Sequence, residues 1–498
     1  MRWKVVIGNL GSILKLFGIA FFIPVIPAFY YVEKPILFNF LPYNALVYIF
    51  LAFFTITIGY TAEHFAKSEN FYHNEAIVLV SFTWLILALV SSLTFLLTFT
   101  FSCPVNAFFE AMAGITTTGA TVLSFPLESH PKSILLWRAL LQWFGGMGVI
   151  VLSVAILSKL SRGGLSLLEA EAPGPSITRL KPKIKETAKS LWYIYCLFTL
   201  LLFIMLLGAK VSVYDAIYHS LTTIPTGGFS THSNSIAYFS STVQWIFIIF
   251  MIIAGVNFSL QYNVFKGKVK KLISDSEFKA YLFIIFIGAG ILVLVGSKQN
   301  ILIRDLIFQT VSILTTTGYT TQNFDKWPEL LRLFLLLFMF IGGSAGSTSG
   351  GIKVLRILLM FKLIKRKVIE FANPNRVLVV HMGDTVVEER TLETVAIFFG
   401  AYLLIFSFGV LLMVGLGLDI VSGIAVSASS LGNIGPGLGI ISDASFRNVP
   451  LLGRLFMAIF MWIGRLEIFT AIVLFNPSLY KKQRLSKLLN IDLRISRI

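Results

Sequence analysis

The sequence predicts an all-α integral membrane protein, and its composition, charge distribution and internal repetition all point to that class. Of the 498 residues, 56% are hydrophobic and only 13% are charged. Soluble domains carry roughly 25% charged residues, so this chain has too few to cover a water-facing surface. A disordered chain needs low hydrophobicity and high charge, which is the opposite of this composition.

The apolar runs predict ten membrane spans, because a helix crosses the hydrocarbon layer in about 20 residues. The first run follows Arg2 and Lys4, as a signal peptide would. Lys15 interrupts its apolar part and no A-x-A site follows, so we expect a retained helix. The predicted spans cover about 3–31, 41–62, 76–101, 134–158, 190–209, 242–264, 278–297, 328–363, 391–417 and 451–475.

The basic residues predict the orientation of these spans. The net charge is +17, and the Lys and Arg residues cluster in connections 159–189, 266–279 and 362–376 and in the C-terminal tail. With ten spans, all of these clusters fall on one side together with the N-terminus. The positive-inside rule therefore places both termini in the cytoplasm, and it explains the charge better than nucleic-acid binding does. Cys103 and Cys196 lie in different segments and give no disulfide framework.

Four further apolar stretches are too short to span a membrane, and each ends in a polar turn that contains glycine. Aligned on these turns they form a fourfold internal repeat. The equivalent glycines are Gly119, Gly227, Gly318 and Gly435. The repeated segments are NAFFEAMAGITTTGAT (106–121), DAIYHSLTTIPTGGFST (215–231), DLIFQTVSILTTTGYTT (305–321) and DIVSGIAVSASSLGNIGPG (419–437). Loops that cap a helical bundle are the alternative, which four copies in register between spans disfavour.

Each short stretch is predicted to be a helix that points its C-terminus toward the membrane centre. Its first residue is expected to be the N-cap, where a side-chain oxygen accepts from free backbone N–H groups. The four predicted N-caps are Asn106, Asp215, Asp305 and Asp419. Four converging C-termini, each with partial negative charge, favour a cation. Extended backbone at this depth is tolerated only inside protein or along a watery pore.

The turns predict three stacked layers of oxygen ligands. Glycine permits the positive-φ backbone that aims successive carbonyls at one axis, and rings of carbonyls replace the hydration shell of an ion. The expected layers are Thr117, Pro225, Thr316 and Asn433; then Thr118, Thr226, Thr317 and Ile434; then the four glycines. No Asp or Glu lies in the turns, which favours a monovalent over a divalent cation. The differences between the repeats predict a pore that is only pseudo-fourfold.

The chain is therefore expected to divide into two extra N-terminal helices and four pseudo-symmetric helix–pore-loop–helix repeats around a central ion pore. The predicted boundaries are 1–70 for the N-terminal helices, 71–160, 185–266, 276–368 and 388–478 for the repeats, and 479–498 for a cytoplasmic tail.

The eighth span contains a stretch that is unlike a stable helix. Its ten residues are Gly342, Gly343, Ser344, Ala345, Gly346, Ser347, Thr348, Ser349, Gly350 and Gly351. Such a composition weakens a helix, and a break at membrane depth is tolerated where it lines a cavity. We expect it to lie below the third turn, about two helical turns into the cytoplasmic half. Close helix packing through small residues is the alternative.

Charged residues inside the membrane are functional candidates. Arg465 lies in the last span, and we expect it to bind carbonyls of the stretch 342–351. Glu467 should face away from it. Lys353 is either a pore-lining charge or a side chain that reaches the membrane interface.

Two rival classes are less well supported. Residues 342–346 match G-x-S-x-G, but a nucleophile elbow needs a preceding strand and a His/acid pair, so we expect no enzyme. His219 is expected to be a helix surface or core residue. A coupled carrier with broken helices usually shows two inverted repeats rather than four parallel ones.

The motifs TTTGAT, TGGFST, TTTGYTT and GNIGPG occur in the order found in the superfamily of Trk, Ktr and HKT K⁺ transporters. QWFGGMG (142–148), AGVNF (254–258), GGSAGSTSGGIK (342–353) and GRLEIFT (464–470) follow them in the second helix of each repeat. Over residues ~75–475 the sequence resembles this superfamily, and the two extra N-terminal helices resemble its Trk membrane subunit.

The resemblance implies K⁺ uptake across the bacterial cytoplasmic (inner) membrane through a channel-like, K⁺-selective pore that also passes Rb⁺. It implies that residues 342–351 form an intramembrane gate, and Arg465 and Lys353 are the gate partners that we expect from their positions in the sequence. It further implies a homodimer in membrane lipid, controlled by a cytosolic nucleotide-binding regulatory ring (TrkA-like), with K⁺ as the transported ion and no cofactor. Gly119 matches the K⁺-selective members, since Ser at this position marks the Na⁺-preferring ones. Symport coupled to H⁺ or Na⁺ remains the alternative.

Overall fold

The computed structural model describes residues 1–33, 35–37, 41–66, 73–160, 177–376, 378–383 and 385–477. The predicted tail 479–498 and the basic residue Arg162 lie outside the described residues. Within them the chain is mostly helical, with two small antiparallel strand pairs, so the all-α class is confirmed. The strands are β1 (Pro35–Leu37) with β2 (Leu41–Pro42), and β3 (His381–Met382) with β4 (Thr385–Val386).

The N-terminal part forms a tight helical pair, with α1 (Trp3–Ala20) continued by α2 (Val25–Tyr30) and packed against α3 (Tyr43–Phe65). The helices can approach closely because Gly8, Gly11 and Gly59 carry no side chain. A β-carbon at any of the three would collide with backbone across the contact. The carboxylate of Glu33 joins this pair to the rest of the protein. It accepts from the Asn44 amide and from the Ser133 backbone N–H, each at 2.9 Å.

The remaining helices repeat one order four times: a long helix, a short buried helix, an extended turn and a second long segment. The first two groups are α4 (His73–Leu97), α5 (Pro104–Ile115) and α6 (Lys132–Leu160), then α7 (Ile177–Gly208), α8 (Val213–Thr223), α9 (Ser241–Ala254) and α10 (Phe258–Phe265). A short α11 (Val269–Ser274) leads to α12 (Ser276–Gly296), α13 (Ile303–Leu314), α14 (Glu329–Phe338) and α15 (Val354–Ala372). The last group is α16 (Glu389–Gly415), α17 (Ile420–Gly432), α18 (Leu451–Arg465) and α19 (Ile468–Val473).

The second helices of groups two, three and four are interrupted. Among the described residues, six helices are long and apolar enough to cross a membrane, and α9 with α10, bent by 100°, could form a seventh. The count of ten spans therefore stays a prediction. The expectation of continuous helices over 242–264 and 451–475 is wrong. The first bends where Asn257 starts α10 by accepting from Ser259 N–H at 2.8 Å, and the second is broken at Glu467, whose φ is 58°.

Three of the four predicted N-caps are also wrong. Asn106, Asp215 and Asp305 each lie at the third residue of their helix, because the helices start earlier than the acidic motif suggests. Ser212 is the N-cap of α8 and accepts from Asp215 N–H at 3.1 Å. The displaced carboxylates hold the chain beyond the turns instead: Asp215 accepts from Thr231 Oγ1, and Asp305 accepts from Gln322 Nε2, both at 2.7 Å.

Asp419 is an N-cap: its carboxylate accepts from Ser422 N–H at 3.0 Å at the start of α17. Hydrogen bonds from the Ser422 side chain, and then from its backbone, lower the pKa of Asp419 below its ordinary value of 3.8. Because the folded pKa is depressed, this contribution is present above pH 3.8 and is lost as the pH falls through the folded pKa.

Replacing this cap tests the local account. Asp419→Ala should lower the free energy of unfolding by about 1 kcal/mol at neutral pH, while Asp419→Asn, which keeps an acceptor oxygen, should cost much less. Thermal unfolding of the purified protein in detergent measures the difference. The gap between the wild type and the alanine variant should narrow in acid, and a gap that is unchanged there contradicts the assignment.

Candidate ion pathway

The ends of α5, α8, α13 and α17 meet at the centre of the protein in four turns of the same backbone shape. Each turn begins with a residue in the left-handed region: Thr117 (φ 54°), Thr226 (54°), Thr316 (59°) and Asn433 (54°). Two residues later each has a glycine at positive φ: Gly119 (77°), Gly228 (76°), Gly318 (79°) and Gly435 (98°). The residues between them complete the four turns, which we define as 117–119, 226–228, 316–318 and 433–435.

The sequence alignment of the second turn was wrong by one residue. In the first turn, the N–H groups of Thr118 and Gly119 both donate to Ala113 O, at 2.9 and 3.4 Å. In the second, Gly227 and Gly228 donate in the same way to Thr222 O, at 2.8 and 3.4 Å. Gly228, rather than Gly227, is therefore the equivalent of Gly119.

The corrected layers follow from this register. They are Thr117, Thr226, Thr316 and Asn433; then Thr118, Gly227, Thr317 and Ile434; then Gly119, Gly228, Gly318 and Gly435. Pro225, which the sequence alignment placed in the first layer, lies one residue before it. Proline has no backbone N–H, and at this position the ring does not need one. The error arose because TGG offers two glycines, and the alignment chose the first.

The four turns close into a ring through their glycines. A β-carbon at Gly119 would lie 3.3 Å from the carbonyl carbon of Gly227, and one at Gly228 would lie 3.0 Å from that of Thr317. The same holds for Gly318 with the carbonyl carbon of Ile434 at 3.0 Å, and for Gly435 with the carbonyl oxygen of Thr118 at 2.7 Å. Each third-layer glycine thus meets the second-layer residue of the next repeat, in cyclic order. Only glycine combines this backbone shape with so close an approach.

The ring presents neutral oxygen atoms in a buried setting. Thr117, Thr226 and Thr316 are all 0% exposed, and the turns contain no carboxylate. Thr117 Oγ1 finds no hydrogen-bond partner in the part of the chain that the structure describes. Within the same residues, no group of three or more His, Cys, Asp or Glu side chains could hold a metal ion. The chemistry suits a weakly held monovalent cation better than a divalent one.

The stretch 342–351 is not helical and lies directly against the turns. Thr348 Oγ1 donates to Ile224 O at 2.9 Å, and Gly350 N–H donates to the Thr316 hydroxyl at 2.6 Å. Gly351 N–H donates to Gly432 O at 3.1 Å. The stretch therefore contacts the third turn directly, and its expected depth of about two helical turns into the cytoplasmic half stays a prediction. Extended backbone, with positive φ at glycines 342, 346 and 351, reaches the ring where a helix would pass it by.

Of the three charged residues named from the sequence, Arg465 and Lys353 bind this stretch and Glu467 binds Arg356 instead. Arg465 is 4% exposed, and its Nη1 donates to Thr348 O at 2.7 Å. Lys353 is buried and its Nζ donates to Ser349 O, so it does not reach out to the membrane interface. Glu467 pairs with Arg356 at 2.5 Å.

Sequence reasoning missed Glu277. Its carboxylate, on the first turn of α12, accepts from Ala345 N–H at 2.6 Å and from Leu355 N–H at 3.1 Å. One buried side chain thus holds both the stretch 342–351 and the start of α15. A lone Glu in the first turn of a helix looks like an ordinary dipole partner, so the sequence carries no signal for this role.

Comparison with known proteins agrees with this geometry. The family model TrkH, described as cation transport protein, matches residues 46–295 and 282–483. The Trk system potassium uptake protein TrkH of Escherichia coli K12 is 41% identical over 82% of this chain and 86% of its own length. TrkH of Vibrio parahaemolyticus is 37% identical over 97% of this chain and the whole of the relative.

A solved structure extends the likeness to the fold. The crystal structure of the potassium transporter TrkH from Vibrio parahaemolyticus superposes with a TM-score of 0.86 and 34% identity, covering 97% of this chain and 100% of the other. The chain therefore belongs to the TrkH family of cation transport proteins.

Proposed function

We propose that this chain takes up K⁺ across the bacterial cytoplasmic membrane through a channel-like, K⁺-selective pore. The observation that carries the proposal is the closed ring of four turns, whose glycines and first-layer residues all adopt positive φ. Such a backbone aims carbonyl oxygens at one axis, where they replace the hydration shell of an ion. The printed names of the relatives, potassium uptake proteins, support K⁺ as that ion.

The membrane potential is sufficient to drive this uptake. It contributes ~2.3 kcal/mol per charge per 100 mV, and ~1.4 kcal/mol corresponds to a tenfold gradient. Four helix C-termini with partial negative charge face the ring and favour a cation there. The turns supply neutral oxygens only, so the ion is held weakly enough to leave.

In this proposal the stretch 342–351 is the gate of the pore. It covers the first layer of the ring, and hydrogen bonds from Thr348, Gly350 and Gly351 hold it there. Arg465 fixes it from the last helix group and Glu277 from α12. Glu277 accepts from both Leu355 N–H on α15 and Ala345 N–H in the stretch, so movement of α15 would act on the stretch through Glu277.

We further propose that a homodimer of this chain, with both termini cytoplasmic, binds a cytosolic nucleotide-binding regulatory ring. That partner opens the gate only by as much as it prefers the open form. The basic connections 266–279 and 362–376 offer it a charged surface.

Transport by the purified chain in liposomes tests the proposal. Fluxes of K⁺, Rb⁺, Na⁺ and Li⁺ should rank with K⁺ and Rb⁺ first. Currents should reverse at the K⁺ equilibrium potential whatever the pH or the Na⁺ gradient. A reversal potential that moves with either gradient identifies the coupled symporter instead, and uptake against the K⁺ electrochemical gradient with no other ion moving rejects a passive pore.

The glycine ring makes a second prediction. Gly228→Ala should lower the K⁺/Na⁺ permeability ratio more than Gly227→Ala, because only the first places a β-carbon against the neighbouring backbone at positive φ. Gly227 is not at positive φ, and a β-carbon there would meet the side-chain amide of Gln142, which donates to Gly227 O at 2.6 Å, rather than the backbone of the neighbouring turn. Gly119→Ser should likewise admit more Na⁺. Equal ratios in the two alanine variants, measured from reversal potentials, would restore the sequence-based register.

The gate makes a third prediction. Glu277→Ala removes two buried hydrogen bonds, each about 0.5–1.5 kcal/mol, so basal K⁺ flux without the partner should rise by roughly tenfold. Glu277→Gln keeps an acceptor oxygen and is the matched control, with a smaller rise. Deleting several residues of 342–351 should have the same effect as Glu277→Ala, and Arg465→Ala should act in the same direction. A folded deletion variant with unchanged basal flux places the gate elsewhere.

A further inference from the structure

An equivalent residue of the short helices supports the chain segment that follows each turn. At the same sequence distance before each third-layer glycine stand Glu110, His219, Gln309 and Val426. All four are 0% exposed, and all but the valine are polar. A polar side chain so deeply buried is costly unless it is hydrogen-bonded, so its partners show what it stabilises.

The three polar residues bind the same part of their repeats. Glu110 accepts from Thr121 Oγ1 at 2.9 Å and from Val122 N–H at 2.8 Å. His219 Nε2 lies 3.1 Å from Ser230 Oγ. Gln309 Oε1 accepts from Thr321 N–H at 3.3 Å. Each therefore binds a residue two or three positions after its third-layer glycine. This contact fixes the chain that leaves the turn, and with it the orientation of the turn.

In the first repeat this brace is an ion pair. Arg138, on α6, donates from Nε to Glu110 Oε1 at 2.7 Å and from Nη2 to Thr121 Oγ1 at 3.1 Å. Both side chains are buried, at 0% and 1% exposure. Burying two charges is expensive, and the cost is offset only where geometry and further hydrogen bonds are good, as they are here.

Arg138 also reaches the second repeat. Its Nη1 lies 3.4 Å from the hydroxyl of Tyr218 on α8. Its guanidinium carbon stands 3.8 Å from the centre of the Phe229 ring, and Phe229 directly follows Gly228. The cation–π contact is favoured in this desolvated setting. Arg138 thus connects the chain just after two adjacent turns.

We propose that Glu110 and Arg138 are positioning residues that set cation selectivity by fixing the distance between the first and second turns. The proposal rests on the proposed pore and adds the determinant of its selectivity at one corner of the ring. Neither residue belongs to the turns. The other repeats carry His219, Gln309 and Val426 at the position of Glu110, so among these four residues an ion pair supports only the corner at Glu110.

The test compares permeability ratios among variants with similar total flux. Removing one charge leaves the other buried and unpaired, so the informative change is the double variant Glu110→Gln with Arg138→Met. It should still conduct K⁺, but the K⁺/Na⁺ permeability ratio should fall roughly tenfold, the effect of one lost charged hydrogen bond. The control is Arg2→Met with Glu75→Gln, which removes another ion pair, between α1 and α4, and should leave the ratio unchanged.

Arg138→Lys keeps the charge beside Glu110 but loses the fork that reaches Thr121 and Tyr218, so it should fold and give an intermediate ratio. A wild-type ratio in folded Arg138→Lys, or in the folded double variant, overturns the proposal. Reduced Tm and flux with an unchanged ratio shows a purely structural role and overturns it too. Absence of K⁺ flux both from the wild-type chain and from the folded gate variants, Glu277→Ala and the deletion in 342–351, rejects the proposed function itself, which is a distinguishable result.

Discussion

The structure depends on one constraint: extended backbone at the centre of a membrane protein must have its polar groups satisfied. Four turns share this position, and each returns its N–H groups to carbonyls at the end of its own short helix. The carbonyls that remain face neighbouring turns, and the ring closes only because Gly119, Gly228, Gly318 and Gly435 carry no side chain. Each of these glycines packs against the second-layer backbone of the next turn. This close packing excludes a larger residue and brings the backbone oxygens of the four turns into the layers of the candidate pathway.

The constraint extends to the second helices of the groups. In the first and last, Gly145 and Gly464 lie against the carbonyls of Ile115 and Leu431, at equivalent ends of the short helices. Small residues there let the second helices approach the ring. In group three the corresponding segment gives up its helix, and Ser344 N–H donates to Gly255 O at 2.9 Å. Neighbouring backbone thus satisfies part of the break beneath the ring.

Repetition made much of this visible in the sequence. The all-α class, four short helices ending in glycine turns, and the unwound stretch all follow from composition and pattern, because helix-breaking residues and hydrophobic length are local properties. The register of Gly227 and Gly228 does not follow, since both residues fit a glycine motif and only backbone hydrogen bonds distinguish them. Three of the four N-cap predictions were wrong for a related reason. A carboxylate at the third position satisfies the dipole as well as one at the cap, so Asp215 and Asp305 look the same either way.

Long-range contacts were the least predictable. Glu277 and Arg138 act on segments far away in sequence, and a single sequence holds no signal for pairing across such distances. Arg465 was found because a charge within an apolar run is conspicuous, whereas Glu277 lies beside other polar residues at the start of α12. What the sequence shows is therefore the local break, and what it hides is the set of side chains that hold the broken piece in place.

The contact between the stretch 342–351 and the turns links gating to ion binding in the proposed mechanism. Gly350 N–H occupies the hydroxyl oxygen of Thr316, and Gly351 N–H occupies the carbonyl of Gly432 next to the first layer. Thr117 Oγ1, the equivalent of the Thr316 hydroxyl, lacks a partner among the described residues. Withdrawal of the stretch would give Thr316 the same free oxygen that Thr117 has. Under the proposed function, gate opening would then do more than clear a path: it would complete the first ligand layer, and a closed gate would both block the ion and remove part of its proposed binding site.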